Sequence, residues 1–302
     1  MEVNMKKALL IVTMAFLGLC SGPAWADEVD GALQPMVNEQ IRVQTRQMIQ
    51  SGVPQDTLLK MTRMMVTKEF HEREIIQAQE TVMDAHNNGH ASEPVMNKAF
   101  EGMAKNISAG RIVQAMGQVQ TRYAYAFKEA GAISKDSGKA RSIGVTIAEG
   151  LSAGMQQKDI QQIMDQLRGR TRLQDHMDTE NLALHSFETT RTMARLGVSS
   201  SKTAEVVCQA LQNRYSANEM GQLENRFRTQ ARDVNPEQVA NQYAHALAQG
   251  AHPSELGTPG GGSMSQSGAG HGGGSGDGGG GGGHGGGGAG GGGYGGGGGG
   301  GR

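Results

Sequence analysis

Aromatic residues account for only 4% of the 302 positions, and Trp25 is the single tryptophan. So few flat rings leave little on which bases or sugars could stack, which weakens the case for a carbohydrate surface. An excess of either charge is missing as well. The formal net charge is −1, so no basic footprint exists for nucleic acid and no polybasic stretch for an anionic membrane. We therefore expect no nucleic-acid partner. Cysteine is reduced to Cys20 and Cys208. Proline is scarce, and Pro54, Pro94, Pro236 and Pro253 each fall at or just before a predicted first helical turn, where a missing N–H costs least. No stretch alternates with period two for long enough to make a strand. No nucleophile elbow, phosphate loop, HExxH or CxxC occurs, so the sequence calls for no cofactor and does not favour an enzyme.

What is present divides into three zones. Lys6 and Lys7 precede an apolar run from Ala8 to Leu19, too short to span a bilayer stably, and Ala24-Trp25-Ala26 offers a small-x-small cleavage site before Asp27. Residues 1–26 are thus expected to be a signal peptide cut between Ala26 and Asp27. The mature chain would be exported, periplasmic or secreted, with no transmembrane helix. Leucine just before Cys20 fits a lipoprotein box poorly, so no lipid anchor is expected there. Cys208 is then alone, with no intramolecular disulfide open to it, and its setting in Val206-Val207-Cys208-Gln209-Ala210-Leu211 reads as a small buried hydrophobe. From Gly257 to Arg302 the chain is nearly pure glycine, which offers no apolar area and carries the largest backbone entropy, so a disordered flexible tail is expected. Gly273-Gly274-Ser275-Gly276-Asp277 matches the start of one calcium-binding nonapeptide, but such motifs act as stacked arrays and no second copy follows.

Between these ends, residues 27–256 read as one all-α domain of stacked antiparallel helical hairpins. Its clearest stretch runs from Glu93 to Tyr123. Val95, Met96, Ala99, Phe100 and Met103 form an apolar stripe, Asn97, Lys98, Glu101 and Lys105 lie opposite, and Ile112, Met116, Val119 and Tyr123 resume the stripe after a corner. The periodicity predicts helices over 35–50, 55–87, 93–105, 109–130, 139–149, 156–195, 200–214, 217–232 and 236–249, the long spans allowing one break each. Six corners share an order: a residue tolerant of positive φ, an apolar or small residue, then a cap or proline. They are Gly52-Val53-Pro54, Asn106-Ile107-Ser108, Gly150-Leu151-Ser152, Gly197-Val198-Ser199, Asp233-Val234-Asn235 and Gly250-Ala251-His252-Pro253. Gly52, Gly89 and Asn106 are matched by Gly197, Asp233 and Gly250 at an offset of about 144 residues, and Glu93-x-Val95-x-Asn97 by Glu237-x-Val239-x-Asn241. This spacing suggests an internal duplication with half-repeats about 45–131 and 190–256.

Three groups of side chains could carry chemistry. His86 and His90, four apart, would share a helical face and chelate a metal, but Gly89 between them reads as a helix end, so two corner histidines are the simpler expectation. Met61, Met64 and Met65 share a face and offer soft thioethers for copper(I), although methionine recurring at Met48, Met83, Met96, Met103 and Met116 is more simply core filler. No metal site is expected from either group. Asn97, Lys98, Glu101 and Lys105, with Arg111 reaching back across the corner, are the candidate interaction residues, set against a plain solvated face of i, i+3 and i, i+4 pairs.

The run Glu93-Pro94-Val95-Met96-Asn97-Lys98-Ala99-Phe100-Glu101-Gly102-Met103-Ala104-Lys105, followed by Arg111-Ile112-Val113-Gln114-Ala115, resembles a motif of exported bacterial helical proteins that read EPLxNKxxEGxxK and then RIxxA and often end in glycine- or serine-rich tails. The resemblance is close over about twenty residues and loose over most of the helical region. It implies an all-helical fold and brings no activity, substrate or catalytic residue, because none is established for that group. The resulting functional expectation is a non-enzymatic interaction or scaffold protein of the cell envelope with a protein partner there and the tail as a tether. The alternatives are an enzyme or small-ligand protein using an inter-repeat groove near Asn97, Glu101 and Arg111, and a chaperone-like holdase motivated by the methionines.

Overall fold

The computed structural model of the chain describes residues 31, 33, 37–171 and 176–256, and the side chains of all of these except 171–178. The expected signal peptide with its Ala26–Asp27 junction, Cys20, and the expected tail over 257–302 lie outside them. Among the described residues the chain is all-helical: α1 Glu39–Ser51, α2 Gln55–Thr67, α3 Glu72–Asn87, α4 Glu93–Ala104, α5 Ala109–Ile133, α6 Ser137–Ser152, α7 Gln157–Thr171, α8 His176–Arg195, α9 Ser200–Gln212, α10 Ala217–Gln230 and α11 Pro236–Ala248, closed by a 3-10 turn over Pro253–Glu255. The long predicted span 55–87 breaks once, between α2 and α3. The span 156–195 is described as α7 and α8.

The corners set these boundaries. At Gly52 the backbone turns left-handed, and the N–H of Val53 donates back to the Met48 carbonyl at 3.0 Å while Val53 itself is buried. Such a five-residue reach satisfies a carbonyl that the helix end would otherwise leave open, and it folds an apolar side chain onto the last turn. The same bond runs from Ile107 to Gly102 (3.0 Å), from Val198 to Met193 (3.1 Å) and from Ala251 to Ala246 (3.1 Å).

Three of the six expected corners need correction. Gly150-Leu151-Ser152 lies inside α6, which continues to a left-handed Gly154 (φ 116°), where Met155 folds back instead. Ile107 makes the corner bond but is 43% exposed, so it anchors nothing. Asp233 is not left-handed, and Val234 is exposed; the work there is done by Asn235, whose Oδ1 accepts from the N–H groups of Glu237 (3.0 Å) and Gln238 (3.2 Å).

Two further corners have neither glycine nor asparagine at the left-handed position. Glu69 (φ 59°) and Arg214 (φ 61°) adopt the left-handed conformation, each followed by a buried aromatic, Phe70 or Tyr215. A non-glycine residue loses roughly 1–2 kcal/mol there, and burial of the next ring, worth about 1.5–3 kcal/mol, offsets the loss. Immediately beyond, the N–H of His71 donates to Glu74 (2.9 Å) and that of Ser216 to Glu219 (2.8 Å), each starting the next helix. Six of the eight left-handed positions among the described residues thus recur in pairs, Gly52 with Gly197, Glu69 with Arg214 and Asn106 with Gly250, whereas Gly154 has no counterpart and Gly89 has none because Asp233, its expected match, is not left-handed.

The helices lie in two rows. In the first, α1, α3, α5, α6, α8 and α10 pack in succession, each against the next; in the second, α2 packs on α4, while α7, α9 and α11 follow one another. Except for α4 with α5, α5 with α6 and, to a smaller extent, α8 with α9, the more extensive contacts are between alternate rather than consecutive helices. The core is filled by methionine, valine, leucine and alanine, with Tyr215, Tyr243, Phe187 and Phe227 concentrated in the later helices. Two glycines permit close approaches. A Cβ on Gly102 of α4 would stand 2.5 Å from Ile112 Cγ1 on α5, and one on Gly144 of α6 would stand 2.8 Å from the Phe127 ring on α5.

Candidate functional site

The second row is interrupted between α4 and α7, where the described helices make no extensive contact. Beneath that interruption the α5–α6 pair is uncovered and forms the floor of a groove of about 780 Å³. Its near wall is α4, presenting Asn97, Lys98 and Glu101; its floor is Ala115, Gln118, Arg122 and Tyr123 of α5 with Glu149 and Ser152 of α6; Arg195, at the end of α8, closes the far side. A second depression of about 590 Å³ adjoins it and shares Gln118 and Arg122, continuing past Thr121 and Leu151 to Gln157 at the start of α7. Arg122 therefore stands where the two depressions meet.

Of the five candidate residues, Asn97, Lys98 and Glu101 line this groove. Lys105 supports it from outside, its Nζ 2.6 Å from Glu101, which Lys98 holds from the other side at 2.8 Å. The lysines hold the Glu101 carboxyl down to about 2, well below the ordinary carboxylate range, Lys105 contributing most through its hydrogen bond. Arg111 is not part of the site. It is exposed in the first turn of α5 and does not line the groove. Arg122, eleven residues and so about three turns further along the same helical face, occupies the position that Arg111 was expected to fill.

The opposite wall repeats the pattern of one carboxylate held by two cations. Glu149 accepts from Arg191 at 2.8 Å and lies 3.1 Å from Arg195. With both carboxylates doubly compensated, Arg122 is left half-buried, with no hydrogen bond or ion pair among the described residues. Next to it Tyr123 is 8% exposed, and its hydroxyl also has no hydrogen-bond partner among the described residues. Burial raises the Tyr123 phenol above its usual range, the Glu149 charge adds to the rise and Arg122 opposes it.

The remaining candidates resolve separately. His86 Nε2 lies 2.6 Å from the Ser51 carbonyl, whereas the His90 ring meets Phe127 edge-on with centroids 5.2 Å apart, and burial lowers its pKa. The two rings thus have different partners. Met61 and Met65 are buried, and Met64 packs against the same core. Among the described residues no three His, Cys, Asp or Glu side chains are grouped to hold a metal ion, and no helix is long and apolar enough to cross a membrane. Cys208 is a free, half-buried thiol, pushed up to about 11 by burial and by Asp159 and Asp165.

Arg122, Tyr123, Glu149 and Arg195 were missed from sequence. A signal for Arg122 did exist: Arg111, Ala115, Gln118 and Arg122 recur at helical spacing on one face. Glu149 and Arg195 join only through tertiary packing, separated from α4 by about 50 and 100 residues. Set against known protein families, curated proteins and solved structures, the chain matches none of them.

Proposed function

We propose that this chain is an exported, non-enzymatic interaction protein of the bacterial cell envelope, taking its partner in the groove over α5 and α6, with the glycine-rich segment as a tether. The observation that carries the reading is the interruption of the second helical row. At this interruption a groove of about 780 Å³ with a polar, charged floor is left open between α4 and α7. The groove has ionic and amide side chains suited to recognition, and its carboxylates are fixed by ion pairs rather than poised with a nucleophile or base. Burial of the described methionines, with only Met64 and Met83 partly exposed, gives the holdase reading no exposed thioether surface to work with. The paired corners support treating α1–α4 and α8–α11 as copies of one unit, with the groove over the α5–α6 pair between them.

A photo-activatable side chain at Gln118 in the groove, and a control at the exposed Asn225 on α10, test this in cells. A discrete crosslinked species from Gln118 alone supports the reading; equal or absent crosslinking from both refutes it. Removing residues 257–302 should leave the Gln118 crosslink in place while altering where the protein is retained.

A further inference from the structure

We infer that the groove selects an acidic peptide segment, with Arg122 as the anchor for one of its carboxylates; this rests on the groove being the interaction surface. The charges decide the sign. Glu101 is shared by Lys98 and Lys105, and Glu149 by Arg191 and Arg195, so both clusters already carry more positive than negative charge, and Arg122 is the groove cation with no carboxylate of its own among the described residues. A guanidinium offers a planar fork that matches a carboxylate in two parallel hydrogen bonds, and partial burial strengthens such a bond relative to water. The unpartnered Tyr123 hydroxyl, on a side chain more than nine-tenths buried at the groove floor, supplies a further donor beside it.

The walls decide between a peptide and a polyanion. Glu101 and Glu149 line the groove and already occupy Lys98, Lys105, Arg191 and Arg195, so a uniformly negative strand of nucleic acid would find Arg122 as the one lining cation not engaged by a carboxylate among the described residues. A chain with one carboxylate at Arg122 and neutral backbone to each side needs no other. Asn97, Gln118 and Ser152 are side-chain donors and acceptors of the kind that read peptide groups. The junction of two depressions at Arg122 allows the chain to run on in either direction.

The test is selection from a library of displayed random dodecapeptides on the intact chain, followed by affinity measurement on synthetic peptides blocked at both ends. Enriched sequences should share one Asp or Glu. Replacing that residue by its amide, or introducing Arg122→Gln, should each weaken binding at least about tenfold, and the two changes together should weaken it little further. Arg122→Lys, which keeps the charge, should recover part of the loss and controls for folding. Ser152→Trp, which fills the groove, separates the two levels of the argument. If Ser152→Trp abolishes binding and Arg122→Gln does not, the groove is the interaction surface and the carboxylate anchor is wrong. If neither change weakens binding, or no peptide is enriched, both ideas fall. Preference for single-stranded oligonucleotides over every enriched peptide would likewise overturn the assignment.

Discussion

Gly102→Ala tests the packing that places the α4 wall of the groove. The new methyl would sit 2.5 Å from Ile112 Cγ1 and 2.9 Å from its Cδ1, and Ile112 is only 1% exposed. A β-branched side chain in a helix is held close to one χ1 rotamer, so Ile112 has little room to swing aside. Either α4 moves outward or Ile112 leaves its rotamer, and overfilling a core in this way costs about 1–3 kcal/mol. Exchanging glycine for alanine in a helix returns about 1 kcal/mol through propensity. The net expectation is a loss of up to about 2 kcal/mol, or up to roughly 8 °C in Tm for a domain of this size. Gly117 of α5, where an added Cβ meets nothing within 4 Å, is the matched control and should gain about 0.5–1 kcal/mol on the same change. Gly144→Ala should fall between the two, because the ring of Phe127 is only partly buried and can yield. Urea and thermal unfolding followed by circular dichroism give the ranking. If Gly102→Ala proved as stabilising as Gly117→Ala, α4 would not approach α5 this closely, and the near wall of the groove would be misplaced.

Tyr215 and Tyr243 are both buried, but the Tyr215 hydroxyl donates to the Ala251 carbonyl at 2.7 Å while that of Tyr243 finds no acceptor. Tyr215→Phe should therefore cost about 1 kcal/mol in chemical denaturation, and Tyr243→Phe should be neutral or stabilising. Glu101 titrates lower in the folded chain (about 2) than its ordinary 4.5, so its contribution is complete above 4.5 and is lost as pH falls toward 2. Because the side chain is largely in water, that contribution is small. The stability difference between the native chain and Glu101→Gln should stay under about 0.5 kcal/mol at pH 7 and vanish by pH 2 or in 1 M salt. With its pKa pushed up to about 11, the Cys208 thiol should alkylate far more slowly at pH 8 in the folded chain than in urea, as followed by mass spectrometry.

Most of the helix inventory was legible because the apolar stripes of α1–α5 and α9–α11 follow the 3.6-residue period and their ends carry recognisable caps. Where the reading failed, it failed at positions where side-chain chemistry and backbone conformation disagree. Glu69 and Arg214 do not announce a left-handed corner; the aromatic that follows each imposes it, through a core contact no local pattern encodes. Gly150 has the opposite fault: its composition suggests a corner, but the helix continues through it to Gly154. In the candidate site Asn97, Lys98 and Glu101, whose spacing places them on one side of a helix, line the groove, whereas Arg111 does not and Arg122, three turns on along the same face of α5, does. Nothing local distinguishes Arg111 from Arg122; only the α6 and α8 side chains brought opposite Arg122 do so.

The two rows account for why the site lies where it does. On either side of it, buried polar side chains join neighbouring helices. The Gln79 amide donates to Thr45 (2.9 Å) and Thr62 (3.1 Å), and Glu224 accepts from Thr192 (2.7 Å) while pairing with Arg228. Between α4 and α7 the chain runs through α5 and α6, which pack against each other in the first row. No second-row helix covers them, so their outward faces must be polar to remain exposed, and Gln118, Arg122, Glu149 and Ser152 meet that requirement. Solubility alone would be met as well by residues that neutralise one another. Glu101 and Glu149 each hold two cations, whereas Arg122 has no carboxylate partner among the described residues. An uncovered floor explains polarity, but it does not explain a half-buried cation left without a counter-charge beside an unpartnered phenol, and that surplus is what an incoming carboxylate would satisfy.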